Sequence, residues 1–258
     1  MASMRRNRRI RRERNSPGCF SVVLFTVLLT AALVAVATIF FKIENIEVEG
    51  NVRYRTDEVR TASGIEWGDN LIFFNKFSAI NDIFDELPYV DRVKMRRSYP
   101  STLVITVTET YAAAYIPDGE DHFWLMSPTC KLLEHTREKP DGAIEIQGLV
   151  LYAPEEGRQA AADGEDSSKV ESLLALMNAL DEEGMLGTVS MISVEGVYDL
   201  QMVFLDRFTV ELGMPEQLNY KLEFLMEIED RLAGDDRGVI DLSKLLETGE
   251  ARFKPYSY

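Results

Sequence analysis

Seven arginines crowd the first fourteen residues, and the 23 residues from Cys19 to Phe41 then carry no charge at all. As a helix that run is roughly 34 Å long, enough to cross a bilayer core of about 30 Å. Arg5, Arg6, Arg8, Arg9, Arg11, Arg12 and Arg14, against the single acid Glu13, give the preceding tail a net charge of +6. Short basic flanks stay on the cytoplasmic side, so these arginines set a topology with the N-terminus inside and everything beyond Phe41 outside. They also suit contact with the anionic lipid of the bilayer. A cleaved secretory signal is the rival reading, since Ala35-Val36-Ala37 fits an A-x-A site. No polar segment precedes that site and the apolar run continues through Thr38-Ile39-Phe40-Phe41, which favours an uncleaved anchor. The Arg-Arg pairs lie several residues from the apolar core, where a twin-arginine export signal is not expected.

The chain divides on this basis into a basic tail (1–18), a transmembrane helix (19–41) and about 217 outer residues. Residues 19–258 hold 21 basic and 42 acidic side chains, a net charge of −21. Such a surface repels nucleic acid and anionic glycopolymers, and it suits protein partners. The two cysteines, Cys19 and Cys130, fall at the inner membrane boundary and far outside it, so no disulfide framework is available. Cys130 reads as a small buried hydrophobe.

The first outer segment, 42–110, is strongly patterned. Ile43, Ile46 and Val48 lead to Gly50-Asn51, a strand ending in a turn. Thr56 is placed to cap a helix with Val59, Ala62 and Ile65 inward and Gly64 as its stop. Ser78 is placed to cap a second, with Ile80, Ile83, Phe84 and Leu87 at helical spacing and Pro88 beyond its end. Val90, Val93 and Met95 start an extended segment that turns at Ser98-Tyr99-Pro100-Ser101 and returns through Leu103, Ile105 and Val107. Strand, helix, helix, strand, strand makes a compact α+β module.

The second segment, 111–258, reads as a β-rich α+β domain. Short strands are expected over 112–116, 123–126, 131–133 and 143–146, then an acidic mobile loop near 153–169. A helix through Val170, Leu173, Leu174, Met177 and Leu180 follows, then strands near 191–195, 199–205 and 208–212. Pro215 opens a further helix, and Val239–Leu242 and Ala251–Tyr256 close the chain as extended segments.

Chemistry is hard to find. His122 and His135 lack a second ligand at zinc spacing and read as exposed loop residues. Asp163 to Asp166 lacks full EF-hand spacing and reads as solvated acid. Trp67 and Trp124 read as core or interface residues, and no G-x-S-x-G, S-x-x-K or H-E-x-x-H pattern occurs. Catalytic, cofactor-binding and metal-binding residues are therefore all expected to be none, and no small-molecule substrate is indicated.

The pieces resemble a known family. Phe41-Lys42-Ile43, Ile46-Glu47-Val48-Glu49-Gly50-Asn51, Ser63-Gly64-Ile65 and Gly68-Asp69-Asn70-Leu71 are similar to the start of an FtsQ/DivIB-type POTRA domain. Leu87-Pro88-Tyr89-Val90 and Arg97-Ser98-Tyr99-Pro100-Ser101-Thr102-Leu103 through Val107-Thr108-Glu109 are similar to its end. Ile144-Glu145-Ile146-Gln147-Gly148 resembles the family's apolar-x-G step, and Val239-Ile240-Asp241-Leu242 its late I-D-L-R segment, with Ser243 in place of arginine. The resemblance implies a bacterial cell division protein, non-enzymatic and without cofactors, at the septum of the cytoplasmic membrane. It implies partners of the FtsB/DivIC and FtsL type, recruitment through the POTRA module, and partner binding at the end of the β domain. With the sequence stopping at Tyr258, that edge is expected close to the C-terminus. Candidate partner-binding residues are Ile240, Leu242, Ala251, Arg252, Phe253, Lys254 and Tyr256. A last strand there offers main-chain groups, aromatic anchors at Phe253 and Tyr256, and cations at Arg252 and Lys254. The alternative is that Phe253 packs in the core and the charges only blunt the edge. Rival functions are an adaptor of another POTRA system, a secreted soluble domain and a cell-wall hydrolase.

Overall fold

A computed structural model of the chain describes residues 19–119, 121–196 and 198–256. The arginines expected to set the topology, Arg5 to Arg14, lie outside the described residues. The first helix, α1 (Cys19–Phe40), is apolar on every side and long enough to cross a membrane. Thr26, Thr30 and Thr38 sit inside it, and each hydroxyl bonds back to a carbonyl three or four residues earlier. No polar group of these side chains is left for a hydrocarbon solvent to satisfy.

The next unit holds β1 (Asn45–Glu49), α2 (Thr56–Ala62), α3 (Lys76–Glu86), β2 (Val90–Ser98) and β3 (Thr102–Glu109). The strands lie in the order β1-β3-β2, with β1 parallel and β2 antiparallel to β3. Gly50 must be glycine: φ is +82°, and a Cβ would stand 2.3 Å from the Val107 carbonyl oxygen. Val59, Ala62, Ile65, Ile83 and Leu87 are buried against Leu103, Ile105 and Val107, so both helices cover one face of the sheet.

Both caps differ from expectation by a few residues. Arg55, not Thr56, precedes α2, and its N–H donates to the Glu58 carboxylate at 2.6 Å. Asn75, not Ser78, caps α3: its Oδ1 accepts from the N–H groups of Phe77 and Ser78 at 3.1 and 3.2 Å. An upstream carboxamide takes the first free donors and pulls Ser78 inside the helix. Gly64 does end α2, at φ +63° just past the Ser63 cap.

The second unit is built on one nine-stranded sheet. Its strands are β4 (Ala114–Pro117), β5 (Phe123–Met126), β6 (Leu132–Thr136), β7 (Ile144–Gln147), β8 (Val189–Gly196), β9 (Asp199–Phe204), β10 (Phe208–Gly213), β11 (Gly238–Asp241) and β12 (Arg252–Pro255). Across the sheet they run β12-β11-β10-β9-β8-β7-β4-β5-β6. Helices α4 (Ser167–Glu182) and α5 (Leu218–Glu229) contact each other and bury Leu173, Leu176, Leu180, Leu222 and Leu225 in the sheet's core. Pro215 does not open α5; the helix begins three residues later, after Gln217 turns the chain at φ +47°. A short helix, α6 (Leu245–Thr248), was not expected.

The segment expected as a mobile loop is pinned along part of its length. Gly157 N–H donates to Leu132, Leu132 N–H to Arg158 and Ala160 N–H to Cys130, at 2.8 to 2.9 Å. Ala160 is buried, and α4 already begins at Ser167. Residues 157–160 thus lie along the approach to β6, beside Cys130 to Leu132.

The two units share a packed seam. Tyr89 joins Tyr115, Leu125 and Leu133 in one apolar cluster, with Tyr54 against it. Around it, Lys131 Nζ donates to the Val90 carbonyl at 2.9 Å, Tyr89 OH to Glu134 at 3.1 Å, and Arg158 pairs with Asp85 at 3.2 Å. The Arg53 guanidinium lies 3.6 Å from the Tyr89 ring centre. Burial holds the Lys131 ammonium below its ordinary pKa.

Candidate partner edge

Among the described residues, β12 is the outermost strand at one end of the large sheet, and at the other end residues 157–160 bond along Cys130 to Leu132, at the start of β6. Backbone phase decides what the open edge presents. Gly238 and Leu242 N–H donate to Arg207 and Glu211 (3.3 and 2.8 Å), so even residues of this stretch face β10. Tyr256 N–H donates to the Arg237 carbonyl at 3.1 Å, so odd residues face β12. Val239 pairs with Lys254 and Asp241 with Arg252 in the same register. By antiparallel alternation, the backbone groups of Arg252 and Lys254 point inward to β11. Those of Ala251 and Phe253 point outward, together with the Pro255 carbonyl.

Side chains alternate the other way. The Phe253 ring turns into the fold, half-buried and edge-on to Phe208 at 6.1 Å. Arg252 and Lys254 are exposed on the opposite face. Tyr256 lies on that face too, with its hydroxyl 2.7 Å from Thr209 Oγ1. Ala251 is half-buried against the core.

Two of the expected contact residues do not lie on a surface. Ile240 and Leu242 are fully buried in the main core, because the apolar alternation of β11 points under the sheet. They hold β11 in place. The Phe253 ring is half-buried against the core, so its outward-facing contribution at the edge includes its backbone.

Gly238 was not singled out in the sequence. A Cβ there would stand 2.3 Å from the Lys254 carbonyl oxygen and 2.8 Å from the Phe253 ring, so glycine is what lets β12 close on β11. Nothing local marks it, since its constraint comes from a strand sixteen residues on.

Among the described residues, the other polar groups singled out in the sequence take structural contacts. His135 is not a loop residue: it lies on β6, stacks on Trp124 at 4.5 Å and bonds Asp118 at 2.9 Å. His122 stacks on it in turn at 5.3 Å. No group of three His, Cys, Asp or Glu side chains is placed to hold a metal among the described residues. Asp166 is paired to Lys169 at 2.9 Å. Cys130 is buried, and burial alone pushes its thiol up to about 12, far from a reactive thiolate.

Two family models match the chain: "POTRA domain, FtsQ-type" over residues 41–110 and "Cell division protein FtsQ/DivIB, C-terminal" over residues 114–243. A DivIB cell division protein of Clostridium botulinum is 26% identical over 225 residues, 86% of each chain. One from Clostridium acetobutylicum is 26% identical over 79% of this chain and 80% of its own. An FtsQ cell division protein of Corynebacterium glutamicum is 25% identical over 76% of this chain and 83% of its own. A POTRA unit behind an apolar N-terminal helix, followed by the family's own C-terminal domain over half the chain, means that this protein belongs to the FtsQ/DivIB family of cell division proteins.

Proposed function

We propose that the chain is a non-enzymatic scaffold of the divisome, held in the cytoplasmic membrane at the septum by α1 with residues 1–18 inside. Its POTRA unit (42–110) and β domain (111–258) then stand outside and link membrane division proteins of the FtsB/DivIC and FtsL type. The observation that carries this reading is the outer side of β12, unpaired among the described residues, where Ala251 and Phe253 present N–H and C=O groups outward. An incoming strand would bond to those groups, and the exposed Arg252 and Lys254 would favour acidic neighbours on it. Tethering in one membrane raises local concentration, so a short edge contact is sufficient.

Proline substitution tests it. Phe253→Pro removes an outward donor, whereas Arg252→Pro removes an inward one and detaches β12 itself. Co-purification of the full chain with FtsB/DivIC-type partners is expected to fall with Phe253→Pro while β12 stays protected in hydrogen exchange. Phe253→Leu, which keeps the backbone donor, is expected to retain most of the capture. Undiminished capture by Phe253→Pro with β12 intact refutes the edge. Cleavage of purified peptidoglycan that is lost on replacing one carboxylate would overturn the scaffold reading.

A further inference from the structure

We propose that the POTRA unit is itself a membrane-surface module: the loop of residues 70–77 and the Tyr99 turn sit in the outer interface of the bilayer, with Phe73, Phe77 and Tyr99 inserted among the lipids. This rests on the reading of α1 as a membrane span.

The depth follows from one contact. Asn70 Nδ2 donates to the carbonyl of Ala37 at 3.0 Å. Ala37 lies four residues inside the uncharged run, about 6 Å below its end. That run exceeds a bilayer core by only about 4 Å, so Asn70 is held at the boundary of hydrocarbon and headgroups. Leu71 N–H donates to the Phe41 carbonyl at 2.7 Å, and Gly68 N–H to that of Ile43 at 2.8 Å, which fixes the loop against the helix exit. On a second side, Tyr99 meets the Phe41 ring edge-on at 5.6 Å, and Glu44 N–H donates to Ser101.

The loop is also built for that depth. The backbone of residues 70–74 is bonded largely from within, which lowers the cost of placing it against lipid. Asn70 Oδ1 accepts from Ile72 and Phe73 N–H at 2.9 and 3.2 Å, and the Asn70 carbonyl from Phe73 and Phe74 at 3.2 and 3.0 Å. Arg97 donates to the carbonyls of Leu71 and Ile72 at 2.6 and 3.3 Å with its guanidinium over the Phe74 ring. Beside the exposed Asn75 and the half-buried Lys76, three aromatic rings point outward: Phe73 is 60%, Phe77 80% and Tyr99 62% exposed. In water those rings are costly. At an interface they form the belt that aromatic side chains prefer there.

The test is depth-resolved fluorescence on the full chain in vesicles of phosphatidylcholine with phosphatidylglycerol. Trp67→Phe and Trp124→Phe remove the native tryptophans, and Phe73→Trp supplies one reporter. Phe77→Trp in the same background is the second reporter, should the first disturb the fold. Lipids brominated near the headgroup end of the acyl chain are expected to quench most of the emission, with a blue shift and little loss to aqueous iodide. A chain carrying only the buried Trp124 is expected to respond to neither. Free quenching by iodide and none by bromolipid, in a chain that resists alkaline extraction, overturns the inference and leaves the anchor standing. Shielding that arises only after membrane division proteins are added overturns it too, and assigns the patch to a protein. Release of the chain by alkaline extraction overturns both readings.

Discussion

Alanine at position 238 probes the partner edge without touching any residue on it. Its Cβ would stand 2.3 Å from the Lys254 carbonyl oxygen, 2.8 Å from the Phe253 ring and 2.9 Å from the Pro255 Cα. Two of those atoms are backbone, so relief requires β12 to move. Overpacking of this kind costs about 1–3 kcal/mol. The stiffer unfolded chain returns at most about 1 kcal/mol, so strain wins. With that return deducted the net cost reaches about 2 kcal/mol, and since each 1.4 kcal/mol is about tenfold in an equilibrium, local opening of β12 is expected to rise by up to roughly 30-fold. Native-state hydrogen exchange reads this residue by residue. The amides of Arg252, Lys254 and Tyr256, which face β11, should exchange faster, and the Phe253 amide, already outward, should change least. Protection in β8, β9 and β10 should hold, and capture of FtsB/DivIC-type partners should fall with β12. Unchanged exchange at the three inward amides refutes the phase assigned to the edge. Equal acceleration throughout the sheet refutes the claim that Gly238 serves β12 in particular.

Two further outcomes are expected elsewhere. Burial first, then the bond to Glu134, pushes the Tyr89 phenol up to about 12 against the opposing pull of Arg53. The unfolded phenol ionises near 10 and the folded one near 12, so stability should drop as pH rises through that window. Tyr89→Phe should flatten the loss, and an unchanged alkaline melting profile counts against the seam. Lys221 is buried, with its ammonium donating to the carbonyls of Leu212 and Met214 at 2.7 and 2.8 Å. Lys221→Met should remove a donor from each carbonyl, leaving the Met214 oxygen only its bond from the Glu216 N–H, and cost about 1–3 kcal/mol in a denaturant melt, whereas a loss under about 0.5 kcal/mol would show that water replaces the ammonium.

What was legible in the sequence was legible because its cause is local. Ile83 and Leu87, or Leu103, Ile105 and Val107, repeat at the period of their own element, and all are buried. The nine strands of the second unit were visible for the same reason. Their order was not: β7 lies between β4 and β8 through two parallel pairings, and pairing leaves no trace in either strand's pattern. The seam was hidden too, since Lys131 and Tyr89 read as an ordinary charge and an ordinary aromatic until Val90 and Glu134 are brought to them. At the edge itself, the last strand was readable near 251–256, but the burial of Ile240 and Leu242 was not. An apolar residue in a strand gives its alternation and does not say which face is covered. Gly238 was silent because its neighbour is a strand from elsewhere in the chain.

The order of strands also measures reach. The seam with the POTRA unit involves Lys131 and Glu134 at the β6 end, and β12 lies eight strand spacings away, roughly 38 Å at about 4.8 Å each. A helical segment would need about 25 residues to touch both ends. A shorter client has to choose one. On the proposed scaffold reading, a client beside the POTRA unit and one on β12 would therefore not meet each other.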